Sequence, residues 1–254
     1  MGQRHLLDVY EAQRDWEAAV TIAEQLIASA AEAGQPATGQ GQPAEQLRGQ
    51  YLCELAEAAL EKNDFDTSRR LYGNALRDQP SDLRACMGLA HLNLSSGDPE
   101  AAFDAFQLIL DSDRTCTPEM LKLLQDICTA HSNEALYLTS LERYYAIQQS
   151  PLLALTLATE LERVRGAEVA EAFLRSTLDE QPSVAVAASL LLKGLDAGSS
   201  LPERQVFDQL TAAEEGYQCS HCGFTGKARH WRCPGCRHWD SIHYRGGTLE
   251  QSHG

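Results

Sequence analysis

From the N-terminus to about Leu201, apolar residues recur at three- and four-residue spacing, the pattern of helices that bury one face. The pattern also repeats on a longer period. Moved by about 34 residues, Leu52, Leu55, Ala56, Ser68, Tyr72, Ala75 and Pro80 fall in register with Cys86, Leu89, Ala90, Ala102 and Phe106. A second shift reaches Met120, Leu123, Leu124, Ile127 and Leu136 less faithfully. A third gives Ala154, Leu157, Ala158, Leu161, Ala170, Leu174 and Pro182. Small residues at Ala56, Ala90 and Ala158 allow close approach of paired helices, and Tyr72, Phe106 and Leu174 fill the space between units. Gly97-Asp98-Pro99 and Arg165-Gly166 supply turns within pairs. Pro80 and Pro182 end second helices, because proline cannot continue them. Beyond the fourth unit, Ser183 to Leu195 and Pro202 to Glu214 read as two more helices.

This periodicity resembles a tetratricopeptide array, an all-α helical solenoid, over residues 1–201. In its first unit, Asp15-Trp16-Glu17-Ala18-Ala19 matches the second-helix start Asp98-Pro99-Glu100-Ala101-Ala102, so Leu6 lies in a first helix that has barely begun. The expectation is that residues N-terminal to this chain are missing or removed, or that another segment covers the end. A Gly-, Gln- and Pro-rich stretch near 33–44 is expected to be a flexible insertion. In such arrays the first helices line a concave groove. By register Gln50, Glu57, Arg84, Met87 and His91 point into it, as a partner-binding face for an extended peptide or a helix. Met120, Tyr144 and Tyr145 read as helix core.

The chemistry is concentrated in Tyr217 to Ile242, where Cys219/Cys222 and Cys233/Cys236 form two Cys-x-x-Cys pairs. Each pair can aim two thiolates at one point, and together they supply the soft ligands of a tetrahedral site. Gly223 and Pro234-Gly235 supply the tight backbone of the knuckles. A thioredoxin-type dithiol needs a helix start in a βαβ setting, which neither pair has. Disulfides need an oxidising compartment, and no secretory signal is present. A catalytic zinc keeps one position open, whereas four cysteines close the shell. The reading is a small rubredoxin-like knuckle module over 217–245 holding one zinc or, alternatively, iron. A connecting helix over 202–216 precedes it and a disordered tail over 246–254 follows. His221, His230, His238 and His243 are expected on the surface. Phe224, Trp231 and Trp239 are expected to cover the site or dock the module.

The net charge of −15 is uneven. From Cys219 onward, Lys227, Arg229, Arg232, Arg237 and Arg245 outweigh Asp240 and Glu250, a balance of +3, so the preceding part carries −18. An acidic body argues against nucleic acid as a main partner. Cys53, Cys86, Cys116 and Cys128 have no ligand spacing and read as buried small hydrophobes. Reduced thiols without a signal peptide indicate the cytoplasm, and no run approaches the roughly 20 apolar residues of a membrane span. No phosphate-binding Gly loop, HExxH or nucleophile motif occurs, so no enzyme activity is expected.

The order of parts resembles the lipopolysaccharide assembly protein B family of Gram-negative bacteria. The likeness rests on Val9-Tyr10 with Asp15-Trp16, on Cys53-Glu54-Leu55-Ala56, and on Tyr217, Cys219, Cys222-Gly223-Phe224-Thr225, Trp231, Cys233-Pro234 and Cys236. It implies a non-enzymatic adaptor at the cytoplasmic face of the inner membrane. Its implied partners are a membrane-anchored AAA protease that degrades the deacetylase committing carbon to lipid A, and lipopolysaccharide synthesis or transport proteins. Family members carry an N-terminal membrane anchor and further repeats, and the expectation is that this sequence begins after them. Two other readings stand beside the adaptor: a rubredoxin-like electron-transfer or redox-sensing protein, and a nucleic-acid-binding zinc ribbon using Lys227, Arg229, Arg232 and Arg237. A homodimer is compatible with the pattern.

Overall fold

The computed structural model describes residues 3–39, 41–112, 114–194 and 216–245. The first six helices are α1 (Gln3–Gln13), α2 (Trp16–Ala33), α3 (Ala44–Glu61), α4 (Phe65–Asp78), α5 (Leu83–Ser95) and α6 (Pro99–Leu110). They are followed by α7 (Pro118–Ala130), α8 (Glu134–Ile147), α9 (Pro151–Arg165), α10 (Ala167–Glu180) and α11 (Val184–Gly194). The fold class is the expected one, helix pairs of the tetratricopeptide kind with a small C-terminal four-cysteine module. Helix starts follow a common rule. Asp15, Asp64, Asp82, Asp98, Asn133 and Ser150 each accept a hydrogen bond from the amide three residues on, which satisfies a donor the first turn leaves open. The connecting helix expected over Pro202–Glu214 and the tail 246–254 lie outside the described residues.

The described residues separate into two compact units. One holds α1 to α6 together with Arg237–Trp239; the other holds α7 to α11 with the rest of the four-cysteine module. The partition therefore falls inside the repeat array. In the first unit Leu52, Cys53, Ala56, Tyr72, Ala75, Ala85 and Leu92 form one buried cluster. In the second, Ala154, Ala158, Leu174 and Val186 do the same between α9, α10 and α11. Small and large positions of the repeat thus meet as their register requires. Met120 and Tyr144 are fully buried, and Cys53, Cys86, Cys116 and Cys128 are buried free thiols.

The stretch expected to be a flexible insertion holds a short strand pair. β1 (Thr38–Gly39) and β2 (Gln42–Pro43) pair antiparallel, and Gln42 is buried. The hairpin lies flush on the helices because Gly39 has no side chain: a Cβ there would come within 2.8 Å of Leu7 Cδ1 and 2.9 Å of Leu47 Cδ1. Glycine and proline here set turn geometry and close approach, which composition alone reads as looseness.

Gly88, inside α5, faces the Tyr72 ring so closely that a Cβ would sit 2.4 Å from Cζ. Gly73, inside α4, has nothing within 4 Å of that position. Alanine at an unobstructed helical glycine gains about 0.5–1 kcal/mol, whereas forcing atoms into a packed core costs about 1–3 kcal/mol. Urea denaturation is therefore expected to separate the two changes: Gly73→Ala raises the midpoint and Gly88→Ala lowers it.

Candidate metal centre

The C-terminal module is built on β3 (Tyr217–Cys219), which pairs antiparallel with β4 (Thr225–Gly226) on one side and β5 (Ile242–Tyr244) on the other. Cys219 stands opposite Ile242 at the end of this ladder. The chain then turns back: the Gly223 amide donates to the Cys219 carbonyl at 2.9 Å, and the Cys219 amide donates to the Phe224 carbonyl at 2.8 Å. This knuckle carries Cys219 and Cys222, and the second carries Cys233 and Cys236.

All four sulfurs lie within 4.8 Å of one another. Cys219 and Cys236 are 3.6 Å apart, and Cys222 and Cys233 are 3.7 Å apart. A tetrahedral site with metal–sulfur bonds of about 2.3 Å requires sulfurs roughly 3.8 Å apart, so the four residues fit one thiophilic ion. Zinc and iron both suit such a donor set. Bound there, either would cross-link the two knuckles, and iron would also add one-electron chemistry. Cys219 and Cys233 are buried, Cys236 is half-buried and Cys222 is exposed. Burial works against a charged Cys219. Hydrogen bonds from the Ser241 hydroxyl, the Cys222 and His221 amides and the Cys233 thiol outweigh it and hold the thiol down at about 6. By contrast burial pushes Cys116 up to about 12 and Cys128 up to about 11. Those thiols stay neutral at pH 7 and are poor nucleophiles.

Within the second unit the module is tied to the helices by named contacts. The Tyr217 hydroxyl donates to Glu119, in the first turn of α7. Arg114 pairs with Asp240 at 2.6 Å, and the Tyr144 hydroxyl donates to the Arg114 carbonyl at 2.9 Å. Leu152 of α9 packs on the cluster of Tyr217, Cys219, Cys233, Ile242 and Tyr244. His221, His230 and His243 are exposed, and His238 is half-buried. Arg229 is turned inward, over the Trp231 ring at 4.5 Å and 3.6 Å from Asp240.

The residues read as a partner groove differ in burial. Gln50 and Arg84 are 0% and 3% exposed and Met87 is buried, while Glu57 is half-buried and His91 exposed. Gln50 donates to Asp82 at 2.9 Å. Arg84 donates to both oxygens of Glu57 and to Glu54. Burial disfavours the Arg84 charge, but the Glu57 hydrogen bonds and the neighbouring anions prevail and raise its pKa. Of these side chains, Arg84 packs beside the chain's own Trp239. The Trp239 amide and carbonyl pair with the Gln42 side-chain amide, each at 3.0 Å. Its indole N–H donates to Glu11 at 3.1 Å, and Glu11 also accepts from the Tyr51 hydroxyl at 2.6 Å. Arg84 lies 5.6 Å from the ring centroid, and Trp16 and Tyr51 complete the aromatic wall. Glu11 and Gln42 carry no signal in the sequence, because their partner lies about two hundred residues away.

A rubredoxin metal binding domain model matches residues 217–243, and a tetratricopeptide repeat model matches 53–115. Along the whole chain, lipopolysaccharide assembly protein B of Escherichia coli strain K12 is 24% identical over 246 residues, 94% of this chain. The protein of that name in Haemophilus influenzae is 25% identical over 247 residues, again 94% of this chain. The chain is similar to lipopolysaccharide assembly protein B. It spans 61% of the length of the Escherichia coli protein and 59% of that from Haemophilus influenzae. Among solved structures, MamA aligns at a TM-score of 0.39 and 18% identity, covering 62% of this chain and 96% of MamA, too distant to carry an argument. Among the described residues no helix is long and apolar enough to cross a membrane.

Proposed function

We propose that this chain is a non-enzymatic adaptor that regulates lipopolysaccharide biosynthesis, with its four cysteines holding a structural metal ion. The observation that carries the reading is the similarity to lipopolysaccharide assembly protein B, which runs through the repeats and the metal module alike. The closed four-sulfur shell supports it from the chemical side, because such a shell leaves no position for a substrate. By the same resemblance, the adaptor acts at the cytoplasmic face of the inner membrane. There it promotes degradation of the deacetylase that commits carbon to lipid A by a membrane-anchored AAA protease.

Depleting the protein in the bacterium that encodes it is expected to lengthen the half-life of that deacetylase. Cross-linked affinity purification from envelopes is expected to recover the protease. Unchanged deacetylase turnover, with no protease recovered, would contradict the reading. A rubredoxin-like electron carrier is the second reading, favoured by the solvent-exposed Cys222 beside a thiophilic site. It requires stoichiometric iron with a reversible potential, and a colourless zinc protein excludes it. The nucleic-acid reading is weakened by Arg229, whose guanidinium is spent on Trp231 and Asp240.

A further inference from the structure

The two buried sulfurs of the metal centre have different surroundings, and one of them has a hydroxyl neighbour. Ser241 Oγ lies 3.4 Å from Cys219 Sγ, within the reach of a hydrogen bond to sulfur. Both residues are buried, at 7% and 2% exposure, so bulk water is a poor substitute for that hydroxyl. The placement of Ser241 is held by its backbone. Its carbonyl accepts from the Ser220 amide at 2.8 Å and from the Ser220 hydroxyl at 3.3 Å, directly before β5 pairs with β3. Ser220 in turn lies inside the Cys219-x-x-Cys222 knuckle. The knuckle and the segment carrying Ser241 are therefore fastened to each other independently of the hydroxyl itself.

We propose that Ser241 is a positioning residue of the metal centre: its hydroxyl donates to the Cys219 thiolate and aims that ligand, drawing charge away from its sulfur. The proposal rests on the reading of the four cysteines as a metal site. A metal-bound thiolate has no proton, so it can only accept, and Ser241 must be the donor. A buried anion pays heavily for lost solvation unless donors replace the water, which Ser241 does for Cys219. The exposed Cys222 has no such need. Partners that orient metal ligands in this way typically change metal affinity by about 10–100-fold when removed.

The test uses the full chain carrying Ser241→Ala, Ser241→Thr or Ser241→Val, each loaded with zinc or cobalt(II). Zinc transfer to a chelator is timed, and the sulfur-to-cobalt charge-transfer band is recorded. Ser241→Ala and Ser241→Val are expected to release zinc about tenfold faster and to move the band to lower energy, as an electron-richer sulfur requires. Ser241→Thr, which keeps the hydroxyl, is expected to match the parent. Restoration of the parent release rate by valine would assign Ser241 to space filling and overturn the proposal. A band that stays in place in all three variants would overturn it as well. Failure of the parent itself to take up one metal ion per chain would remove the site reading and the proposal together, and so is distinct from failure at Ser241 alone.

Discussion

Replacing Cys233 with serine is expected to weaken metal binding about a hundredfold and loosen the C-terminal module. Binding of a structural zinc supplies about 10–16 kcal/mol in small zinc domains, and that energy is folding energy where no large core exists. One thiolate of four accounts for a quarter of it, about 3 kcal/mol, or an affinity loss of roughly a hundredfold. Cys233 is also 1% exposed and belongs to the module's small buried cluster, so an unligated serine hydroxyl there has no water to turn to. Hydrogen exchange should locate the damage. Amides of β3, β4 and β5 are expected to lose protection, together with the contacts of Tyr217 to Glu119 and of Arg114 to Asp240. Removing the metal from the parent with a chelator is expected to reproduce the same map. Unchanged metal affinity and unchanged protection in the serine variant would contradict a structural role.

The second large effect is expected at Trp239. Its side chain is 2% exposed and meets Trp16, Tyr51 and Arg84 while its N–H satisfies the buried Glu11. Truncating a buried tryptophan to alanine costs about 3–5 kcal/mol through lost transfer energy and the cavity left behind. That is a large share of the roughly 5–15 kcal/mol that holds a domain folded. Trp239→Phe keeps most of the volume but withdraws one donor from Glu11, and is expected to cost about 1–3 kcal/mol. Trp231→Ala is a useful contrast. Trp231 is half-buried and its cation–π contact with Arg229 contributes on the order of 1 kcal/mol. Urea midpoints of the full chain should therefore fall in the order Trp239→Ala, Trp239→Phe, Trp231→Ala, the first being lowest. Equal midpoints for Trp239→Ala and Trp231→Ala would mean that the Trp239 pocket contributes little.

These two residues also mark what a sequence can and cannot convey. The four cysteines are legible because their chemistry is local: a two-residue gap is enough to aim two thiolates together. The helices are legible for the same reason, since Ala56, Tyr72 and Leu174 obey a repeat that each helix pair imposes on itself, and Asp98 caps its helix three residues away. Register also places Gln50 and Arg84 on the inner face of their helices. It does not say what covers that face. Trp239 packs beside Arg84 there, and its pairing with Gln42 spans 197 residues and leaves no local trace. The hairpin near Gly39 was hidden by the opposite effect, because residues that permit disorder also permit tight turns. Charge was equally ambiguous at Arg229, a cation that composition assigns to the surface and the fold turns inward onto Trp231.

X-ray absorption on the metal-loaded full chain tests the closed four-sulfur centre most directly. The expected spectrum has one ion per chain with four sulfur neighbours at about 2.3 Å and no lighter ligand. Three sulfurs with a nitrogen or oxygen neighbour would mean an open or exchanged coordination position, and would contradict a purely structural centre at Cys219, Cys222, Cys233 and Cys236.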